Sequence, residues 1–302
     1  MNLALHSLAG GSSLPTMSWT VILWSSGLVV LATLNLALWG RAVLRLGELS
    51  PTLPEAVRRT RRLQCVLALL YVAGCAFRSI VPVFDVPRIS LIDSPLASVL
   101  VGRSVATIAE LAFVAQWALT LREASKVTGS FFGRLSSRMV LPMIFVAECC
   151  SWYSVITTSN LGHVFEESLW AAAAMLMVSS LLAAWSRWRP AHRYAVVGFC
   201  LVGLAYVAYM VLVDVPLYAS RWLADELAQQ PYLGLLDGLR DISRPRLSTY
   251  SYAIWRHEFF WMASYFSFGV WVSIALIHSP LPDRRPVALA NGRALRAGKL
   301  TA

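Results

Sequence analysis

Residues 194–215 read YAVVGFCLVGLAYVAYMVLVDV, and the first charge in that run is Asp214. A helix rises about 1.5 Å per residue, so a run of this length spans the roughly 30 Å hydrocarbon core of a bilayer. A membrane β-strand needs only about 9–11 residues for the same crossing. In lipid, a lone segment satisfies its own backbone polar groups only as a helix. Six more apolar runs read the same way, at residues 18–40, 64–84, 96–121, 139–158, 166–186 and 257–277. The expected fold is all-α: a polytopic bundle of seven transmembrane helices.

Composition agrees. Hydrophobic residues make up 57% of the 302 and charged residues only 14%, against about 25% charged in a soluble domain. A soluble enzyme, a disordered chain and a fibrous repeat are excluded. The net charge of +10 does not point to nucleic acid, because the basic residues sit in short segments between apolar runs instead of on one clustered face. All five cysteines (Cys65, Cys75, Cys149, Cys150 and Cys200) fall inside apolar runs, which argues for small buried hydrophobes and against a disulfide framework.

The basic residues orient the chain. Segments 41–63, 122–138, 187–193 and 278–302 carry 18 Lys and Arg, whereas 1–17, 85–95, 159–165 and 216–256 carry six. Cytoplasmic loops are the ones enriched in Lys and Arg. Residues 1–17 are therefore expected as an extracytoplasmic tail, 18–277 as the bundle and 278–302 as a basic cytoplasmic tail, in the plasma membrane. No Lys or Arg precedes the first run, so it lacks the basic flank of a cleavable signal. Residues 216–256 read as an extracytoplasmic interfacial segment, either a packed connector or a lid. Within it, Tyr218 to Gln230 suits a short amphipathic helix ended by Pro231.

Ionisable residues within spans cost about 2.5–3.5 kcal/mol each on insertion scales, so they face a protein interior and mark function. Arg78, Arg103, Glu110 and Glu148 are such residues. Arg103, Thr107 and Glu110 share one helix face by their i, i+4, i+7 spacing. Two readings of the four stand side by side: an ion-pair network that fixes helix packing, and a site in which they act as acid/base groups or bind an anionic group. A second set lies at the outward helix ends. His163, Glu166, His257 and Glu258 form a candidate metal shell for a divalent ion such as zinc, manganese or iron. Asn160, Trp170, Trp261 and Tyr265 are candidate ligand-binding residues beside it.

Certain chemistries are absent. Lys126 and Lys299 are the only lysines and lie outside the spans, so no intramembrane lysine can hold retinal as a Schiff base. The chain has no P-loop, GxGxxG or GxSxG pattern. Two function classes follow. One is a membrane-embedded enzyme, metal-dependent in one version, acting on a lipidic or small anionic substrate in the outer half of the bundle. The other is a non-enzymatic receptor, channel or carrier that uses the same polar funnel for an ion, proton or small ligand. In both the bilayer is the partner and nucleic acid is not. For the topology, a cysteine introduced at position 12 is expected to react with an impermeant thiol reagent on intact cells. Cysteines at 60, 130 and 295 are expected to react only after lysis; labelling of 60 or 130 beforehand inverts the orientation.

Overall fold

The computed structural model describes residues 17–279, apart from 87, 189, 245 and 246. Among the described residues, seven helices are long and apolar enough to cross a membrane. The first five are α1 (Trp19–Leu49), α2 (Glu55–Ile80), α3 (Val99–Thr128), α4 (Phe131–Thr157) and α5 (Leu161–Ala183). The sixth span joins α6 (Pro190–Tyr209) to α7 (Val215–Leu227) through a π-helical turn at Met210–Asp214. After α8 (Leu235–Ile242) and α9 (Tyr252–Trp255), the seventh span joins α10 (Phe259–Ser264) to α11 (Val270–Ile277) through a second π turn at Tyr265–Gly269.

Short links force neighbouring spans antiparallel. Between α3 and α4 lie only Gly129, left-handed at φ 68°, and Ser130, whose hydroxyl accepts from the Gly133 N–H at 3.0 Å. This is a glycine helix stop followed by a serine N-cap. Consecutive spans pack on one another from α1 through to the sixth. The seventh packs mainly on α2, and also on α1 and α3. A very close approach joins α4 to α5 at Gly162. A Cβ there would lie 2.2 Å from the Cys150 carbonyl oxygen and 2.5 Å from the Ser154 hydroxyl, so no larger residue fits.

Neutral amides tie the interior near one end. Gln64 and Gln116 donate to each other's backbone carbonyls at 3.0 and 3.1 Å, and Gln116 also donates to Ser273 O at 3.2 Å. Asn35 donates to the Phe266 carbonyl at 2.7 Å and accepts from the Trp271 indole at 3.1 Å. The Asn35 bond lands inside the second π turn, where a widened ladder leaves a carbonyl for a side chain to take.

The sixth span runs further than its composition suggests. Helix continues past residue 215 to Leu227, so the short helix expected over Tyr218–Gln230 is present but joined to the sixth run instead of standing apart from it. Pro216 lacks an N–H and cannot close a regular turn. The π turn at Met210–Asp214 absorbs that defect, so the helix continues. Asp214 therefore lies within the rod and does not end it. Beyond Leu227, the segment is strapped down. Leu233 N–H donates to Thr157 O at 2.9 Å. Gly238 sits so close to the Ile156 carbonyl that a Cβ would lie 2.1 Å from it. Two-residue strands pair Val83–Phe84 (β1) with Ile89–Ser90 (β2), and β2 with Leu247–Ser248 (β3).

Arg88 is the central fastening of this strap. It sits in the left-handed region at φ 69° and is buried. Its guanidinium donates to Val155 O at 2.8 Å and Ile156 O at 3.5 Å, and pairs with Asp241 of α8. The last carbonyls of a helix have no partners of their own, and α4 finds them in Arg88 and Leu233. Arg88→Ala is expected to cost about 2–3 kcal/mol, the scale of lost hydrogen bonds to a charged group, measured by unfolding in detergent. Cleavage at residues 228–234 is expected to quicken in limited proteolysis. Arg240→Ala, which removes an exposed pair with Asp237, is expected to cost under about 1 kcal/mol.

Candidate functional site

At the end of the bundle opposite the amide network, three helices bring ionisable side chains together. Ser98 caps the start of α3, accepting from Val101 N–H at 3.4 Å, and Arg103, Thr107 and Glu110 then follow on one face. Glu148 comes from α4. The tight α4–α5 contact at Gly162 turns Glu166 and His163 toward both.

Arg103 is the hub. Its Nη2 lies 2.8 Å from Glu148 Oε2, 2.8 Å from Glu166 Oε1 and 3.7 Å from Glu110 Oε2. Glu148 Oε2 also accepts from the Thr107 hydroxyl at 2.6 Å, and Thr107 accepts from the Trp152 indole at 3.1 Å. Glu166 Oε2 lies 2.7 Å from His163 Nδ1. The His163 backbone N–H donates to Ser154 Oγ at 2.8 Å, and its ring lies 4.8 Å from that of Tyr218. Glu110 Oε1 accepts from Tyr265 Oη at 3.2 Å and lies 3.6 Å from Arg78 Nη1. The Arg78 guanidinium stacks over Trp261 and Phe266 at 5.6 and 5.7 Å.

Arg103, Glu110, Glu148, His163 and Glu166 are all buried. Three carboxylates face two guanidinium groups, so the formal count is one negative charge in excess before any proton on His163. Carboxylate oxygens of Glu110, Glu148 and Glu166 lie within 4.8 Å of one another, close enough to share a metal ion. Among the described residues, two buried atoms of the cluster, Glu148 Oε1 and Arg103 Nε, have no hydrogen-bond partner.

The four residues expected at membrane depth therefore belong to one cluster. Of the four expected as a metal shell, His163 and Glu166 join it, while His257 and Glu258 make their contacts elsewhere. His257 falls in the turn between α9 and α10; it is exposed and accepts from Arg256 Nε at 3.1 Å. Glu258 is half-buried at the start of α10, and burial pushes its carboxyl up to about 7. Among the expected ligand-binding residues, Tyr265 touches Glu110 and Trp261 lies under Arg78. Trp170 packs in the apolar core beside Tyr206, with ring centroids 6.4 Å apart. Asn160 donates to Asp225 Oδ2 of α7 at 2.8 Å. Sequence reasoning placed Glu166 apart from Glu110 and Glu148, and did not pair Tyr218 with His163. Gly162 is the one sequence signal for the first, because a glycine at a helix start permits close approach. No protein-family model, curated protein or solved structure matches the chain.

Removing the hub strands the carboxylates. Arg103→Gln is expected to cost about 3–5 kcal/mol, the scale for breaking a buried pair by deleting one partner. Glu148→Gln is expected to cost less, because the amide keeps an acceptor for Arg103 and lowers the excess negative charge. Combining the two is expected to cost less than the sum of the single changes. Chemical unfolding in detergent checks the cycle; strict additivity contradicts the hub.

Proposed function

We propose that this protein handles a small cation, in the first instance a proton, at the Arg103-centred cluster, as a carrier, channel or receptor in the plasma membrane. The cluster would then lie in the outer half, with the N-terminus outside. The observation that carries this reading is the imbalance of buried charge. Glu110, Glu148 and Glu166 outnumber Arg78 and Arg103, and Glu148 Oε1 lacks a partner among the described residues. An uncompensated buried charge is costly enough that such groups bind a proton or another cation instead. The other carboxylate oxygens of Glu148 and Glu166, and Glu110 Oε1, already have protein partners. Glu110 Oε2 keeps only its 3.7 Å approach to Arg103, and two open acceptors suit a proton better than the several anchor points an organic substrate requires. His163, bonded to Glu166 and lying against Tyr218, is the group that passes the proton between cluster and surface, because an imidazole has one ring nitrogen to take up a proton and another to release one.

A second reading has its own support. The three carboxylates lie close enough to hold a divalent ion, and His163 adds an imidazole beside them. Zinc, manganese or iron accepts such a mixed set, and a metal-dependent membrane enzyme acting on a lipidic or small anionic substrate follows. Arg103 opposes it, because the guanidinium lies where the ion would sit and would have to swing away from Glu148 and Glu166.

Infrared difference spectroscopy between acidic and alkaline pH, with elemental analysis of the same detergent-purified protein, separates these. One protonated buried carboxyl that disappears on titration and is lost in Glu148→Gln or Glu110→Gln supports the proton reading. About one equivalent of metal, lost in Glu110→Gln and Glu166→Gln, supports the enzyme reading. Carboxylates ionised throughout, with no metal, leave only a fixed ion-pair knot and overturn both.

A further inference from the structure

The amide-tied end of the bundle is also its basic end. Arg58, Arg59, Arg61 and Arg62 cluster at the start of α2, and Arg122 and Lys126 lie near the end of α3. Between these two helices and Ser279 opens a cavity of about 130 Å³, against the roughly 10–15 Å³ that one water needs. Its polar lining comes from Thr60, Arg61, Gln64, Thr120, Glu123 and Lys126.

The chemistry of that lining is specific. Lys126 Nζ lies 2.7 Å from Glu123 Oε1, so these two charges cancel. Arg61 donates to the Ile277 carbonyl at 2.8 Å and to Ser279 Oγ at 3.3 Å. Its partners are thus neutral oxygens, and no carboxylate pairs with it among the described residues. One positive charge remains. Behind this lining lies an acceptor that is unmet among the described residues. Gln64 is buried, its amide nitrogen donates to Gln116 O and to the Thr120 hydroxyl at 3.1 Å, and its Oε1 has no partner. The Thr60 and Thr120 hydroxyls spend their protons on the Ala56 and Gln116 carbonyls at 3.1 and 2.9 Å, so toward the cavity they too are acceptors.

A ligand matched to this lining carries one negative charge and brings hydrogen-bond donors of its own. A chloride or nitrate ion satisfies the first condition only, and a phosphocholine headgroup offers neither net charge nor hydroxyl donors. We infer that the cavity between α2 and α3 binds a monoanionic phosphodiester bearing hydroxyl groups, of the glycerophosphoglycerol type. Its phosphate sits against Arg61 and Lys126, and its hydroxyls donate to Glu123 and to the Thr60 and Thr120 hydroxyl oxygens. Two sources offer this chemistry: the headgroup of an anionic phospholipid, drawn to juxtamembrane arginines, or a free phosphodiester in solution.

The test is thermal unfolding of the delipidated full-length protein in detergent, with one of three probes. These are dioleoylphosphatidylglycerol, dioleoylphosphatidylcholine and water-soluble glycerophosphoglycerol. A saturating ligand that binds only the folded state is expected to raise Tm by about 5 °C or more. Phosphatidylglycerol is expected to do so and phosphatidylcholine not. A matching rise with glycerophosphoglycerol assigns a soluble source, and a rise with the lipid alone assigns the membrane. Lys126→Glu, at an exposed position, is expected to abolish the shift, and Ala56→Phe to block the cavity without changing its charges. Arg59→Ala, outside the lining, is expected to keep the shift. Equal shifts from both lipids, a full shift in Lys126→Glu and Ala56→Phe, or equal losses in Arg59→Ala and Lys126→Glu overturn the proposal.

Discussion

Arg103 fixes more of this molecule than any other single side chain. A guanidinium inside a membrane bundle is tolerable only when acceptors surround it. Here one of its nitrogens reaches carboxylates from α4 and α5 at 2.8 Å and, more loosely, one from its own helix. The requirement runs both ways, since Glu148 and Glu166 are equally intolerable without the cation. Each further contact hangs on that triangle. Thr107 holds Glu148, His163 holds Glu166, and Tyr265 with Arg78 carries Glu110 across to the seventh span.

Stability alone does not call for this arrangement. At the basic end, neutral groups do the same mechanical work. Gln64, Gln116 and Ser273 join α2, α3 and α11, and Asn35 joins α1 to the seventh span. Such bonds leave no charge to neutralise. At the carboxylate end, α4 and α5 are already held at their closest by Gly162, and the strap through Arg88 closes the end of α4. Well-packed apolar residues of similar volume are often at least as stabilising as a buried ion pair. Six ionisable groups gathered where packing is already secure, with an odd count of charges, are better explained by chemistry than by architecture.

How far the sequence discloses this varies by feature. The seven spans are legible because length and apolarity are local properties, and a bilayer turns them directly into helices. The shared face of Arg103, Thr107 and Glu110 is legible from helical spacing, and the interior placement of Arg78 and Glu148 from the cost of leaving them in lipid. Glu166 is harder. Its spacing shows that it neighbours His163, but which way that pair turns depends on how closely α5 approaches α4. His257 illustrates the opposite failure. Arg256-His257-Glu258 resembles a loaded helix start, yet the chain turns there, and the imidazole is left in solvent beside Arg256. The sequence separates the sixth run, where Asp214 is the first charge, from an amphipathic helix over Tyr218–Gln230, and the π turn at Met210–Asp214 that joins them carries no local signal. Arg88 carried a faint signal, as the lone basic residue of its loop, and only the fold supplies the carbonyls it caps.

The two π turns fall on the two spans that border the cluster. Met210–Asp214 lies in the sixth span, which rests on α5, and Tyr265–Gly269 supplies the tyrosine that donates to Glu110. A π turn interrupts the regular hydrogen-bond ladder and is often found at functional sites. The α3–α4–α5 side is built the other way, with short links, a glycine-tight contact and charges locked by Arg103. The cluster thus sits between a rigid wall and two helices whose ladders are already relaxed. On the proposed cation-handling reading, this division lets the centre gain and lose a cation without dissolving the ion pairs that hold it. Rotation at Tyr265 or a shift of Tyr218 alters what Glu110 and His163 meet, while Arg103 keeps Glu148 and Glu166 in place.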